Sequence, residues 1–526
     1  MVIAATFLPR GASVPLPRSI RSKLTFVFAA GIGLVISGVV TALQAEPAVR
    51  SIAGLALIAI ANNQTLTPPK IEPKLLQEDF LIARTALEQG HSGIYRYTPK
   101  PELDRALDGA SRKLTRPMDS LEFYRILAPV VAKIKCGHTA VLPPKNVRQV
   151  MDQTTPLFPF DVEVLNGKVY VAREYLPDEQ KLEGLELRRI NRIGTDRILS
   201  VMLAATPADA DSQTARPWRI AHENIFTFSR VLYSLLGVES PFQIEFRNPN
   251  DGKKRTLKVS GLTFPDREKI AVVRYPQDKP PEDNANLKFL DDGKIAILSV
   301  REFSGKAEAK PLNDYFDDAF RQVREHSSET MIIDVRNNGG GSDFLGKKLL
   351  SFLLDEPFKY YDDLVFNARE FDFFRYADGA QPIPADTVEK RVDGKFHDIK
   401  HPNLGIQQLS QPHFAGKVVV LMNGGSFSTT CEFLSNLHYR KRAIFVGEEA
   451  GGGYYGNTSG RSARVTLPNT KVQVLVPLRT YYLAVKGGNP NRSILPDYEV
   501  KPSINDFLSG NDTVMARAIE IAQRRL

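Results

Sequence analysis

The stretch KVVVLMNGGSFSTTCEFLSNL, residues 417–437, governs how the rest of the chain is read. Lys417–Met422 is a short β-branched and apolar run bounded by turn residues, which predicts a buried strand. Asn423-Gly424-Gly425 turns the chain, and Phe433, Leu434 and Leu437 then share one face of a helix opening near Thr429. Ser428 stands at that opening. A hydroxyl there lies at the positive end of the helix, beside N–H groups that have no acceptor within it. Such a place suits a nucleophile while negative charge builds on a carbonyl oxygen. The same Gly-Gly-Ser-x-Ser pattern also serves as an ordinary helix cap and turn, and these residues alone leave both readings open.

Two further segments bear on the choice. MIIDVRNNGGGS, residues 331–342, repeats the strand-into-turn pattern and precedes a predicted helix over Asp343–Leu354. Three consecutive glycines cost backbone entropy that a structural turn seldom needs, and they let main-chain N–H groups approach a ligand with no Cβ between. The Gly-x-Gly-x-x-Gly spacing of a dinucleotide loop is absent. Cys136-Gly137-His138-Thr139 closes a helix marked by the capping pair Asp119 and Glu122. That helix has a face of Phe123, Ile126, Leu127, Val130, Val131 and Ile134. Gly137 is expected to end it. His138 then leaves from a fixed point, as a structural residue or as a base.

With IAILSVREFSG (295–305), IFVGEEAGGG (444–453) and LPDYEVKP (495–502), these segments resemble the S41 serine peptidases, the family of the C-terminal processing (tail-specific) proteases and the tricorn core protease. They run in the family's order over residues 78–526. The resemblance implies an α/β fold with a crotonase/ClpP-like layered catalytic core, Ser428 as nucleophile, and oxyanion donors from Gly339 and Gly340 and from the N–H of Thr429. The processing proteases take a lysine base from a Gly-Lys-Gly segment, but residues 448–457 here contain no lysine. The tricorn-like branch takes a histidine in a Gly/Ser-His-Thr/Ser setting, which His138 fits. A neutral imidazole accepts a serine proton near pH 7 without the desolvation a lysine needs. The expected pair is therefore Ser428 and His138. That branch also carries a glutamate before its Pro-Asp motif; residues 487–494 hold no acid. Asn489, Asn491, Asp497 and Glu449 are the substitutes at hand, and none is assigned.

A chain of 526 residues with 42% hydrophobic content suits several globular units rather than disorder. The net charge of +9 is modest, and no Lys/Arg run is interleaved with aromatics, so nucleic acid is not an expected partner. Arg10, Arg18, Arg21 and Lys23 precede the apolar run Leu24–Val40, a pattern that predicts export by a signal peptide or N-terminal membrane anchor over residues 1–45. Residues 46–74 read as a linker, Pro-rich over Thr65–Lys74. Residues 75–150 form a helical segment carrying His138, interrupted by His91–Tyr97, where His91 is the runner-up base. Residues 156–262 are β-rich: Asn166-Gly167 and Asn250-Asp251-Gly252 mark hairpins, and Glu186–Gly194 resembles a PDZ strand and turn. This reads as a separable PDZ-like module that affects access to the site. Residues 285–526 alternate strands and helices as an α/β core.

Several motifs draw bland expectations. Tyr360–Phe374 reads as a surface or cleft excursion. His397 and His401 read as a solvated turn with no metal. The Asn457-Thr458-Ser459 sequon is taken as incidental. No metal or cofactor is expected. Cys136 and Cys431 flank the histidine and the serine, as buried apolar residues or as a disulfide. The function implied is an exported, extracytoplasmic serine endopeptidase acting on peptides or proteins; the alternative is a non-catalytic peptide- or ligand-binding protein on the same fold.

Overall fold

Side-chain alternation sets the centre of the fold. In the strand Thr330–Asp334, Met331 and Ile333 pack on one face and Ile332 on the other; in Lys417–Met422, Val418, Val420 and Met422 oppose Val419 and Leu421. Strands apolar on both faces must be covered on both. In the computed structural model, which describes residues 69–278 and 282–524, they are the middle of a six-stranded sheet. Its order is Tyr498–Glu499, Ile444–Gly447, Lys417–Met422, Thr330–Asp334, Ile295–Val300 and Ala285–Leu290. Neighbours run parallel except the last pair. Helices Leu312–Glu325, Asp343–Ser351 and Thr429–Tyr439 cover one face, and Thr513–Gln523 covers the other.

A second sheet runs Ala140–Leu142, Gln473–Leu483, Tyr361–Phe366, Phe396–Asp398 and Val388–Lys390, with Thr458–Thr466 also paired to Gln473–Leu483. Tyr360 and Tyr361 are fully buried in it, so the expected surface excursion is a core strand at its start. His397 is buried too, its Nδ1 2.7 Å from Asp363 Oδ2, while His401 lies 3.2 Å from Asp343. These histidines pair with separate acids rather than forming a solvated turn.

The β-rich region forms an antiparallel sheet of Phe160–Leu165, Lys168–Glu174, Glu186–Ile190, Phe242–Arg247 and Lys254–Val259. Asn166 (φ 51°) and Gly167 (φ 73°) make the tight turn between the first two strands, as their sequence requires. A Leu157–Leu262 bridge closes the base of the region. Separability does not follow: Phe158, Phe160 and Ile198 share one hydrophobic core with Phe123 and Leu127 of the N-terminal helices and Val474 and Val476 of the second sheet.

The N-terminal helices are Pro73–Gly90, Lys100–Ser111 and Ser120–Val131, so the first begins inside the expected linker. Asp119 and Glu122 cap each other's N–H groups at 2.9 Å. The third helix ends at Val131, followed by a 3-10 turn over Ala132–Ile134, and Lys135 (φ 58°) takes the left-handed position expected of Gly137. The basic and apolar N-terminal segment lies outside the described residues; among those described, no helix is long and apolar enough to cross a membrane.

Candidate active site

Ser428 sits between the strand Lys417–Met422 and the helix Thr429–Tyr439 with φ 55° and ψ −126°. That conformation is costly for a residue with a Cβ, of order 1–3 kcal/mol, and persists only where the surroundings hold it. Three bonds do so. Ser426 Oγ donates to the Val335 carbonyl at 2.8 Å, the Phe427 N–H to the Asn338 carbonyl at 3.0 Å, and Thr429 Oγ1 to the Gly341 carbonyl at 2.8 Å. Ser428 makes no capping bond to the helix. Its Oγ instead lies 3.1 Å from His138 Nε2. The helix-cap reading is thereby set aside.

His138 is placed from two sides. Two residues on, Ala140–Leu142 pairs antiparallel with Gln473–Leu475 of the second sheet. Next to it, the Gly137 carbonyl accepts from Arg219 Nη1 at 3.0 Å, and the Gly137 N–H donates to Asp209 Oδ1 at 2.6 Å. The Phe427 ring stacks on the imidazole, centroids 4.6 Å apart and 28° between planes, with Arg219 on the ring at 5.8 Å. A Cβ at Gly137 would stand 2.5 Å from the Phe427 ring, so close approach, not a helix stop, is what this glycine supplies. Burial, then Arg219 and His91, push the His138 pKa down to about 3. The ring is neutral near pH 7 and can accept a proton.

The glycine turn meets the serine directly. Gly340 has φ 107°, and a Cβ there would lie 2.7 Å from Ser428 Cβ and 3.0 Å from the Thr429 nitrogen. Its own N–H donates to Asn338 Oδ1 at 2.9 Å, so the free donor expected at Gly340 is already engaged. Among the described residues, the N–H groups of Gly339 and Thr429 have no backbone acceptor. Asn338, fully buried, also donates to the Val300 carbonyl at 3.0 Å and thus locks both turns together. Its Asn-Asn-Gly context in the sequence carries no sign of this role.

None of the substitutes for the family's acid bonds to His138. Glu449 binds Arg492 at 2.8 Å, Asp497 accepts the Phe445 N–H at 2.8 Å, and Asn489 accepts the Asn491 N–H at 2.9 Å. His91 is buried and accepts the Gly93 N–H at 3.1 Å rather than bonding to the serine. The nearby acid is Asp209: one of its oxygens, a His138 ring nitrogen and Cys136 Sγ lie within 4.8 Å of one another. Nothing in its Ala-Asp-Ala-Asp context announces it. These three atoms do not suit a metal. Burial pushes the Cys136 thiol up to about 12, where it donates to the Thr458 carbonyl, and Asp209 already accepts two backbone N–H groups. Cys431 bonds separately to the Ser426 carbonyl at 2.9 Å, and both cysteines are free thiols, without the disulfide. Asn457 is buried and donates to Glu432 at 2.9 Å, which closes the sequon to modification.

Residues 294–500 match the model of peptidase family S41. This is a serine-type peptidase, and the segment so matched is its S41-like part. The match holds Ser428 and the glycine turn, while His138 and Asp209 fall before it. The peptidase is similar in structure to a CPAF mutant, with a TM-score of 0.58 at 14% identity over 86% of this chain and 98% of that one. It is also similar to mature CPAF, with a TM-score of 0.55 at 15% identity over 86% and 97% of the two chains. Mature CPAF complexed with lactacystin gives a TM-score of 0.54 at 14% identity, over 86% of this peptidase and 98% of that chain. At such identities the likeness is one of fold. No curated protein matches the peptidase.

Proposed function

We propose that the protein is an exported serine endopeptidase of the tricorn-like branch, hydrolysing peptide bonds through an acyl-enzyme on Ser428 with His138 as general base. The observation that carries this reading is the 3.1 Å contact between His138 Nε2 and Ser428 Oγ, made by a strained serine that caps nothing. Ser428 Oγ attacks the scissile carbonyl while Nε2 takes its proton. The N–H groups of Thr429 and Gly339 receive the developing oxyanion, beside the Cα of Gly340. The imidazolium then returns the proton to the leaving amine, and a water repeats the sequence in reverse roles to free Ser428. The crotonase/ClpP-like arrangement of the core and a PDZ-like role for residues 156–262 belong to the same reading, as does delivery outside the cytoplasm by the N-terminal basic and apolar segment.

A fluorophosphonate probe tests the chemistry. Ser428 should be labelled in the intact protein, and Ser428→Ala should abolish labelling and cleavage of a mixed peptide library. His138→Ala should slow both by roughly a thousandfold or more with the fold retained. A folded protein that takes no label would instead be a binding protein on this fold, and robust labelling of His138→Ala would remove histidine as the base.

A further inference from the structure

We propose that Asp209 is the third member of this site: it positions His138 and stabilises the imidazolium that forms in the reaction, across a gap that one water spans. The inference rests on the reading of His138 as base and adds the acid that the C-terminal part of the chain does not supply.

Three observations converge on it. Asp209 is 1% exposed, and its two oxygens are held by main-chain donors: the Gly137 N–H at 2.6 Å and the Gly453 N–H at 3.3 Å. The first is the neighbour of His138. The second belongs to the loop whose Gly452 packs against Cys431 and lies near the Ser428 nitrogen. The carboxylate thus spans the two segments that must meet for the serine and histidine to bond. Second, an Asp209 oxygen and a His138 ring nitrogen lie within 4.8 Å, beyond a direct hydrogen bond and within the reach of a single bridging water. Third, His138 Nε2 is committed to Ser428 while Nδ1 is buried with no protein partner. A buried ring N–H seeks an acceptor, and Asp209 is the nearby carboxylate among the described residues.

Charge supports the assignment. Burial, and then Arg219 and His91, disfavour a proton on His138. Burial raises the Asp209 pKa, and the Gly137 and Gly453 N–H groups together with Arg96 and Arg219 oppose that rise and favour the carboxylate. Tyr97 and the thiols of Cys136 and Cys431 around it are held neutral by burial. When the Ser428 proton reaches Nε2, the ring becomes a cation in a setting that otherwise opposes one. An anion beside it matters most at that moment, and Asp209 itself never takes the proton. Its site role also explains why a polar group from the β-rich region is buried so deeply next to the catalytic histidine.

The test is Asp209→Asn, which keeps one acceptor oxygen for the Gly137 N–H and removes the charge. Fluorophosphonate labelling of Ser428 in the full chain reads it: kinact should fall about 100-fold or more with KI within roughly threefold, at full saturation of the folded protein. A purely structural Asp209 would lower the melting temperature and leave kinact within about fivefold of wild type, and that result overturns the proposal. Should Asp209→Asn not fold, 15N-histidine spectra of the unaltered protein, assigned with His138→Gln, decide. A proton fixed on Nδ1 of His138 supports the acid; a proton on Nε2, or a mixture of tautomers, refutes it. Loss of labelling in His138→Ala with full labelling in Asp209→Asn would overturn the acid alone, whereas labelling retained in His138→Ala would overturn the base.

Discussion

Replacing Gly340 by alanine should disable the peptidase while leaving most of its stability. The added Cβ would stand 2.7 Å from Ser428 Cβ, and ordinary contact begins near 3.4 Å, so one of the two must retreat by about 0.7 Å (3.4 − 2.7). It would also stand 3.0 Å from the Phe427 carbonyl oxygen and the Thr429 nitrogen, which are backbone and cannot swing aside. The φ of 107° adds strain of order 1–2 kcal/mol for a residue with a Cβ. A shift of Ser428 of that size would disturb the 3.1 Å contact it makes with His138 Nε2. Misplacement of a reacting group by about 1 Å costs on the order of 100-fold in rate. We expect kinact for fluorophosphonate labelling to fall 30- to 100-fold, roughly, with KI little changed and a melting temperature lower by about 3–8 °C. Because the Gly340 N–H is spent on Asn338, the loss should arise from displacement rather than from a missing oxyanion donor. Asn338→Ala should therefore also slow labelling, through the loosened turn, although it frees that N–H. A folded Gly340→Ala protein that labels within threefold of wild type would refute the close-approach argument.

Other expectations follow from burial of charge. His138 and His91 are both held near a pKa of about 3, so the unfolded chain binds more protons than the folded one below pH 6.5. Stability should fall as pH drops from about 6.5 toward 3, while the acid limb of the labelling rate lies below 6.5; a limb at 6.5–7 in a stable protein would contradict the buried neutral ring. Glu432 behaves in the opposite sense: burial and then Asp343 raise it to about 7, so the stability its proton contributes is lost as pH rises through that value. Glu432→Gln should gain relative to wild type between pH 5 and pH 8 in thermal melts, and a pH-independent difference would show that the carboxyl is ionised throughout.

The sequence was legible where local chemistry governs. Lys417–Met422 is a strand to the residue because both of its faces are apolar, and Asn166-Gly167 turns where both residues can adopt positive φ. The capping pair of Asp119 and Glu122 is likewise a matter of spacing three residues apart. The pairing of Ser428 with His138 came from resemblance, since nothing local links residues so distant in the chain. What stayed hidden depends on distant partners. Asp209 looks like any loop aspartate until the fold delivers it to Gly137 and Gly453. His397 carries no sign that Asp363 awaits it across a strand. The glycine run at Gly340 announces close approach but not that the N–H expected to serve as an oxyanion donor is taken up by Asn338.

The serine and the histidine hang on different sheets. The strand that steadies His138 has its partner at residues 473–475, so Ala140 waits for Leu475 before its register is fixed. Contacts this far apart in sequence form late and slowly. A chain emerging from its N-terminus would carry the complete nucleophile turn before the strand that seats the base, and would be chemically silent until that strand arrives. On the proposed Ser428–His138 mechanism, latency during synthesis is thus written into the connectivity: the pair cannot be fully seated before residues 473–475 have been made.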